Sequence, residues 1–134
     1  MGLGDIVKGE THKKGWGEEL WIVNKEGLYC GKKLFLQQGK RGSLHYHEEK
    51  DETFFIAGGK VLLDTYPDAK IRKGDEIPKK EDLGERKTVE MNPGDIMDIP
   101  PCLPHQFLGL TESIIIEFST HHKESDTYRI EKGD

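Results

Sequence analysis

The sequence predicts an all-β fold, a sandwich or small barrel built from short strands. Apolar residues recur with a period of two, and no amphipathic helix pattern appears before the last dozen residues. Sixteen glycines and six prolines supply turn signals between the apolar runs. Many short strands separated by frequent turns are typical of β-sandwiches and small barrels.

The composition bounds the class of protein. A length of 134 residues predicts one domain over residues 1–134, with a core that needs no disulfide support. Two cysteines and a start without an apolar leader segment favour the cytoplasm. The net charge of -5 disfavours nucleic acid as a partner. No apolar run approaches the roughly 20 residues that span a bilayer, so we expect no membrane association.

The strand patterns follow one another in short steps. The first bends at Gly15 and Gly17, and the last follows one expected helical turn in the charged tail. The run around 113–119 is the most apolar of them. In chain order, the predicted strands are residues 15–24, 29–37, 43–47, 52–57, 61–66, 96–99, 105–108, 113–119 and 128–130.

Two turns predict local hairpins. The charged segment 48–51 is a four-residue turn, so we expect strands 43–47 and 52–57 to pair antiparallel. Gly58 and Gly59 form a two-residue hairpin signal, because both positions accept positive φ. The sequence therefore predicts that strand 52–57 also pairs with the strand after it.

A long polar segment at about 67–86 separates the two halves of the chain. It contains Pro78 and a run of charged residues, and a short strand is expected near Ile77 or in residues 87–91. Loops of this length are uncommon in compact domains. We expect a solvated loop, with a lid over a binding site as the alternative.

Four residues predict a metal site. His45 and His47 are one residue apart on a predicted strand, so both side chains point to one face. In the predicted hairpin, His47 opposes Glu52 at about 5 Å between Cβ atoms. His105 follows a proline-framed turn in the second half, where a returning strand would bring it across.

This donor set indicates one divalent transition metal. Three imidazoles and a carboxylate suit manganese, iron, cobalt, nickel, copper or zinc better than calcium or magnesium. Four protein ligands leave positions open for water or substrate on an octahedral ion. The alternative is that the histidines are simply the polar face of a strand.

The segment 39–59 resembles the first cupin motif. The matching positions and their spacing are Gly39, His45, His47, Glu52 and Gly59. The resemblance implies a cupin barrel, also called a double-stranded β-helix or jelly roll. It also implies a metal bound by His45, His47 and Glu52. Cupins of this size are commonly homodimers, so a homodimer is expected.

The segment 94–109 resembles the second cupin motif. It matches at Gly94, Pro100 and His105, and the resemblance makes His105 the fourth metal ligand beside His45, His47 and Glu52. Cys102 stands where the family usually has glycine, and Gly109 where it usually has asparagine. Neither departure touches a ligand.

A finer resemblance concerns four segments. Residues 14–19, 29–34, 43–47 and 116–119 look like mannose-6-phosphate isomerase-like cupins, which include the type II phosphomannose isomerase domain. This resemblance implies a metal-dependent sugar or sugar-phosphate isomerase of the aldose–ketose type. A small polar substrate, a sugar or sugar phosphate, is the implied partner.

Three further residues are candidates at such a site. Glu117 interrupts an apolar run and is predicted to point into a polar cavity as the base, with a cross-strand ion pair as the alternative. Lys33 and Arg41 are candidates for substrate binding near the barrel mouth, unless they are merely solvated. His122 is expected to have a surface or packing role.

Three functions remain open from the sequence. In the isomerase, Glu117 would move a proton between neighbouring carbons through an enediolate, with a metal acting as Lewis acid. The second function is an Fe(II) cupin dioxygenase, which also needs open metal positions. The third is a non-enzymatic cupin that binds a small ligand without turnover.

Overall fold

A computed structural model describes residues 4–134 and contains two antiparallel sheets. The first sheet has the strand order β1-β2-β3-β10-β5-β8, and the second β11-β4-β9-β6-β7. The predicted all-β fold is confirmed. The strands are β1 (Glu10–Lys14), β2 (Gly17–Asn24), β3 (Cys30–Leu36), β4 (Leu44–Tyr46), β5 (Glu52–Gly58), β6 (Val61–Thr65), β7 (Lys87–Met91), β8 (Ile96–Ile99), β9 (His105–Gly109), β10 (Ser113–Ser119) and β11 (Tyr128–Glu131).

The core lies between the two sheets. Alternation along each strand sends every second side chain inward, as on β5, where Phe54 and Ile56 are buried while Phe55 is half-buried. The core draws on both sheets, so their inner faces pack against each other. Its buried members are Leu36, Phe54, Ile56, Val61, Leu63, Met91, Ile99 and Ile115.

Both predicted hairpins are wrong, because the chain changes sheet at each turn. Strand β4 pairs with β9 and β11, whereas β5 pairs with β10 and β8. Strand β6 pairs with β7 and β9, so it is not a partner of β5 either. Gly59 has a φ of +76°, and a Cβ there would collide with the carbonyl oxygen of Glu112. The glycine signal therefore marks a crossing between sheets, not a two-strand hairpin.

The first predicted strand, residues 15–24, covers only part of the observed structure. Strand β1 precedes it and pairs with β2, with His12 opposite Glu19. The turn at Gly15 and Trp16 separates the two strands. Strand β1 has little apolar character, since four of its five residues are charged or histidine. This edge strand nevertheless covers Trp21 on the neighbouring strand, with ring centroids 4.4 Å apart between His12 and Trp21.

The 67–86 segment is anchored to the outside of the second sheet. Leu83 is fully buried in a second apolar cluster with Leu44 of β4 and Tyr66. Ile71 packs against the same cluster. A short 3-10 helix spans Lys80–Asp82, and no strand forms at Ile77 within the described chain. The segment is therefore not fully solvated, and none of its described residues lines the cavity between the sheets.

The tail agrees with its prediction. A 3-10 turn at Glu124–Asp126 leads into β11, which pairs with β4 and places Arg129 opposite His45. Both cysteines, Cys30 and Cys102, are free thiols. No helix within residues 4–134 is long and apolar enough to cross a membrane.

Candidate metal centre

A cavity of about 260 Å³ opens between the sheets, beside the apolar core. Its apolar walls include Leu34, Phe54 and Ile115. A volume near the lower end of the usual range for binding pockets suits a small molecule. The polar side chains that line it include His45, His47, His105, Glu52, Lys50, Glu117, His122, Glu19 and Lys32.

Three histidines meet in this cavity from neighbouring strands of the second sheet. His45 on β4 is the direct register partner of His105 on β9, and their ring centroids lie 4.5 Å apart. His47 follows two residues after His45, with 5.0 Å between the ring centroids. One ligand nitrogen from each ring lies within 4.8 Å of the other two. The predicted association of the three imidazoles is therefore present in the structure.

A backbone carbonyl fixes each imidazole. In every ring Nδ1 lies within hydrogen-bond distance of a carbonyl oxygen, so Nδ1 carries the donated proton. This tautomer leaves Nε2 with a free lone pair, the form that binds a metal. The contacts are His45 with Ser43 at 3.1 Å, His47 with Asp126 at 3.0 Å and His105 with Leu103 at 2.9 Å.

Glu52 completes the group from the opposite sheet. Its Oε1 lies 3.6 Å from Nε2 of His47, and its Oε2 lies 3.3 Å from Nε2 of His105. Both Oε2 of Glu52 and Nε2 of His105 are buried without a hydrogen-bond partner. Because Nδ1 of His105 donates its proton to the carbonyl oxygen of Leu103, Nε2 carries a lone pair. This lone pair faces a lone pair of Glu52 Oε2. A cation bound by both would remove the repulsion, so the residues fit a metal ion.

The pKa shifts keep His45 and His47 unprotonated at neutral pH. Burial lowers the pKa of His45 well below its usual value, and it lowers the pKa of His47 to about 4. The ammonium of Lys50, 3.3 Å from Oε1 of Glu52, favours the charged form of that carboxylate. Metal ions bind these deprotonated forms.

Lys50 lies beside this group and is almost fully buried. Its ammonium is 2.6 Å from Oε2 of Glu117, 3.3 Å from Oε1 of Glu52 and 3.0 Å from Nδ1 of His122. Ser119 donates a hydrogen bond of 2.9 Å to the same Glu117 oxygen. Both polar contacts of Glu117 within the described residues fall on Oε2, so Oε1 makes none.

Glu117 therefore meets both alternatives that the sequence left open, a position in the cavity and an ion pair. It lines the cavity as predicted, and it is also an ion-pair partner. Lys50 and His122 are functional candidates that the sequence reasoning missed, because one lies in a charged turn and the other in a charged tail.

Lys33 and Arg41 do not line the cavity. Lys33 lies on the outer face of β3, where its ammonium is 5.0 Å from the ring centroid of Phe35. Arg41 contacts the tail, and its backbone N–H donates to Asp134 at 2.7 Å. The cavity contains Lys32 instead, which lies on the same face of β3 as the inward-facing Leu34, two residues away. Both faces of β3 carry apolar residues, so the sequence pattern did not show which of the two lysines points inward.

Asp126 connects the tail to the turn between the candidate ligands. Its buried carboxylate accepts backbone hydrogen bonds from Glu48 at 2.9 Å, from Glu49 at 3.1 Å and from Lys50 at 3.0 Å. Its carbonyl oxygen is also the partner of His47. One residue of the tail therefore fixes the turn that leads from His47 to Glu52.

Comparison with curated proteins gives one sugar isomerase. The chain is 30% identical over 140 residues to the D-lyxose/D-mannose isomerase of Thermosediminibacter oceani. The match covers 96% of this chain and 72% of the isomerase. No model of a known protein family matches the chain.

Solved structures with a similar fold are cupins, which confirms the predicted cupin fold. The capsular polysaccharide assembling protein CapF from Staphylococcus aureus aligns with a TM-score of 0.71 and 17% identity, over 96% of this chain and 33% of CapF. This chain thus spans about a third of CapF. KdgF from Halomonas sp. aligns with a TM-score of 0.64 and 14% identity, over 87% of this chain and 91% of KdgF. Oxalate decarboxylase from Bacillus subtilis aligns with a TM-score of 0.69 and 17% identity, over 91% of this chain and 30% of the decarboxylase.

Proposed function

The chain belongs to the cupin family, in the group of sugar isomerases that includes the D-lyxose/D-mannose isomerase, and from this premise we propose a metal-dependent aldose–ketose isomerase. One observation carries the proposal. A set of three histidines and Glu52 shares one small cavity with a second carboxylate, Glu117. The first set suits a divalent transition ion, and the second carboxylate suits a base.

The metal site of this proposal consists of His45, His47, His105 and Glu52. When bound there, a divalent ion supplies Lewis-acid polarisation of the sugar's carbonyl and adjacent hydroxyl oxygens. The residues contribute fixed orientation, because backbone carbonyls hold all three rings. Manganese, iron, zinc, nickel and cobalt are all compatible with these donors.

Glu117 is the proposed base. Isomerisation moves a proton from the carbon next to the carbonyl to the carbonyl carbon, and the hydroxyl proton of that neighbouring carbon to the former carbonyl oxygen. No co-reactant is therefore consumed. Glu117 Oε1 is free of the contacts with Lys50 and Ser119, which both fall on Oε2. Lys50 fixes the position of Glu117 relative to Glu52, since its ammonium contacts both carboxylates. Such positioning contributes to catalysis by lowering the entropic cost of proton transfer.

The buried charges of the cavity favour an unphosphorylated sugar over a sugar phosphate. Lys50 already faces Glu52 and Glu117, and Lys32 already faces Glu19. A phosphate dianion among these groups would therefore lie near carboxylates as well as near cations. A neutral sugar can donate hydrogen bonds to the carboxylates and accept them from the lysines.

The test uses chelator-treated protein that is reloaded with one metal at a time. We expect metal-dependent conversion of D-lyxose or D-mannose to the corresponding ketose, with D-mannose 6-phosphate converted less efficiently. His47→Ala should lose metal and activity, whereas Glu117→Gln should keep the metal and lose turnover. Full conversion by the metal-free protein would overturn the proposal. Oxygen consumption with iron alone would support the dioxygenase, and sugar binding without turnover would support the binding protein.

The predicted homodimer has support from the outer face of the first sheet. Five register partners form one row across β2, β3, β10, β5 and β8: Leu20, Lys33, Ile116, Phe55 and Ile96. Four of these side chains are apolar: Ile96 is exposed, and Leu20, Phe55 and Ile116 are half-buried. Such an apolar row suits an interface, and a second copy can cover it by a two-fold axis. Sedimentation analysis should give twice the monomer mass for the wild type and the monomer mass for Ile116→Glu. A monomeric wild type would contradict the dimer.

The proposed compartment is the cytoplasm. The two free thiols support it, because structural disulfides are typical of oxidising compartments and rare in the cytoplasm. Fractionation of cells that express the native protein would test this proposal, and recovery in a secreted fraction would contradict it.

A further inference from the structure

A row of inward-facing side chains crosses the first sheet and leads away from the candidate metal ligands. Trp21 on β2 is the register partner of Lys32 on β3, and Lys32 is the partner of Glu117 on β10. Glu117 in turn opposes Phe54 on β5, two residues from Glu52. A ligand that lies along this row with one end at Glu52 therefore has its other end near β2.

The far end of the row contains a buried charged group. Lys32 is 3% exposed, and its ammonium lies 3.4 Å from Oε1 of Glu19 and 4.4 Å from the ring centroid of Trp21. Trp21 donates a hydrogen bond of 2.9 Å to the same Glu19 oxygen. His12 packs on the Trp21 ring and holds it in place. Trp21 thus acts here as a support for the two charged side chains.

This pair retains unused hydrogen-bonding capacity toward the cavity. An ammonium has three N–H donors, and Glu19 is the single hydrogen-bond partner of Lys32 among the described residues. Oε2 of Glu19 makes no hydrogen bond within residues 4–134. A buried ion pair is weak evidence for a stabilising role, because apolar residues of similar size often stabilise a protein more. The unused donors and acceptor are better explained by a ligand.

We propose that Glu19 and Lys32 form a second binding subsite, which holds a hydroxyl group of the sugar remote from its carbonyl. The inference rests on the proposed isomerase function. A hydroxyl group accepts one hydrogen bond and donates another, so it matches the free donors of Lys32 and the free oxygen of Glu19. An anionic group would be repelled by Glu19: burial raises its pKa, but the charge of Lys32 and the hydrogen bond from Trp21, with smaller contributions, together lower it on balance.

The experiment compares Lys32→Met with Lys33→Met in the metal-loaded protein. The two lysines are neighbours on β3, but Lys33 points outward and is the matched control. For D-mannose and D-lyxose, Lys32→Met should raise KM about 10- to 100-fold, the loss expected for a hydrogen bond to a charged group. Its kcat should be largely retained, because a contact remote from the reacting carbons acts on ground state and transition state alike.

A binding measurement separates this subsite from the isomerase function. Calorimetric titration with D-mannitol, which has no carbonyl, should show the same loss of affinity in Lys32→Met. Glu19→Gln, which keeps the side-chain volume, provides the same test if Lys32→Met does not fold.

Equal KM and affinity for Lys32→Met and Lys33→Met in an active enzyme would overturn the subsite alone. Mannitol binding that depends on Lys32 without any isomerisation would overturn the isomerase alone. A wild type that binds neither the sugars nor mannitol would overturn the subsite.

Discussion

His45 and His105 face each other as register partners on β4 and β9, although they come from opposite halves of the sequence. This pairing places two of the candidate metal ligands on one sheet, while Glu52 reaches them from the other sheet. The ligand set therefore joins both sheets, and a bound ion would link them. Metal binding should then stabilise the fold as well as support catalysis.

Replacing His105 tests this link. His105→Ala removes the ligand nitrogen opposite His45, so we expect lower metal affinity and a smaller stabilisation by metal. In the wild type, metal at 100 times its dissociation constant should add about 2.7 kcal/mol to the free energy of unfolding. Urea unfolding with and without metal measures this difference. A variant that gains as much stability from metal as the wild type would show that His105 is not a ligand.

Lys50 is expected to be needed for stability. Lys50→Met leaves the carboxylates of Glu52 and Glu117 buried without their shared cation. Breaking a buried pair in this way costs about 3–5 kcal/mol. Denaturant unfolding of the metal-free protein should show the loss, and the exposed Lys73→Met serves as the control. Equal stabilities for the two variants would contradict the buried network.

The stability of the metal-free protein should fall on acidification below pH 6.5. His47 has a pKa of about 4 in the folded state because burial disfavours its charge, whereas the unfolded chain binds the proton near pH 6.5. The unfolded state therefore gains more protons as the pH falls from 6.5 to 4. This one residue contributes at most about 1.4 kcal/mol of lost stability per pH unit in that window. Urea unfolding at several pH values should give a shallower dependence for His47→Gln, and an unchanged slope would contradict the shift.

Asp126 should affect the metal site from outside it. Asp126→Ala leaves three backbone N–H groups of the 48–50 turn without their acceptor. We expect metal affinity to fall about 10- to 100-fold, as is usual when a group that orients ligands is lost. Titration with Co²⁺, followed by its absorption spectrum, measures affinity and ligand geometry together.

The control for Asp126 is a second buried aspartate. Asp64 accepts a hydrogen bond of 2.6 Å from Thr88 and does not line the cavity. Asp64→Ala should lower stability but leave the Co²⁺ spectrum unchanged. Identical spectra for Asp126→Ala and the wild type would show that the turn keeps its geometry without this anchor.

The fold class and the grouping of the four candidate ligands were predictable from the sequence, but the strand pairing that groups them was not. Strand alternation and turn spacing predicted the all-β fold, and the cupin resemblance predicted His105. The hairpin argument placed His47 near Glu52 for a wrong reason, since the two residues belong to facing sheets. A turn between two strands looks the same in sequence whether the strands pair or separate into different sheets.

The residues around the ligands were harder to predict because their burial depends on distant segments. Lys50 lies in a charged turn with no sequence signal for burial, yet the tail covers it through Asp126 and His122. Lys32 and Lys33 were indistinguishable by type, and the pairing of β3 with β2 and β10 decides which one faces inward. Local patterns do not contain these long-range contacts.

His45, His47, His105 and Glu52 are proposed to bind one divalent transition ion. Elemental analysis of the freshly purified protein, with His47→Ala purified alongside it, tests this metal binding. We predict close to one transition-metal ion per chain in the wild type and almost none in the variant. A metal content near zero in the wild type, or an equal content in both proteins, would contradict the account.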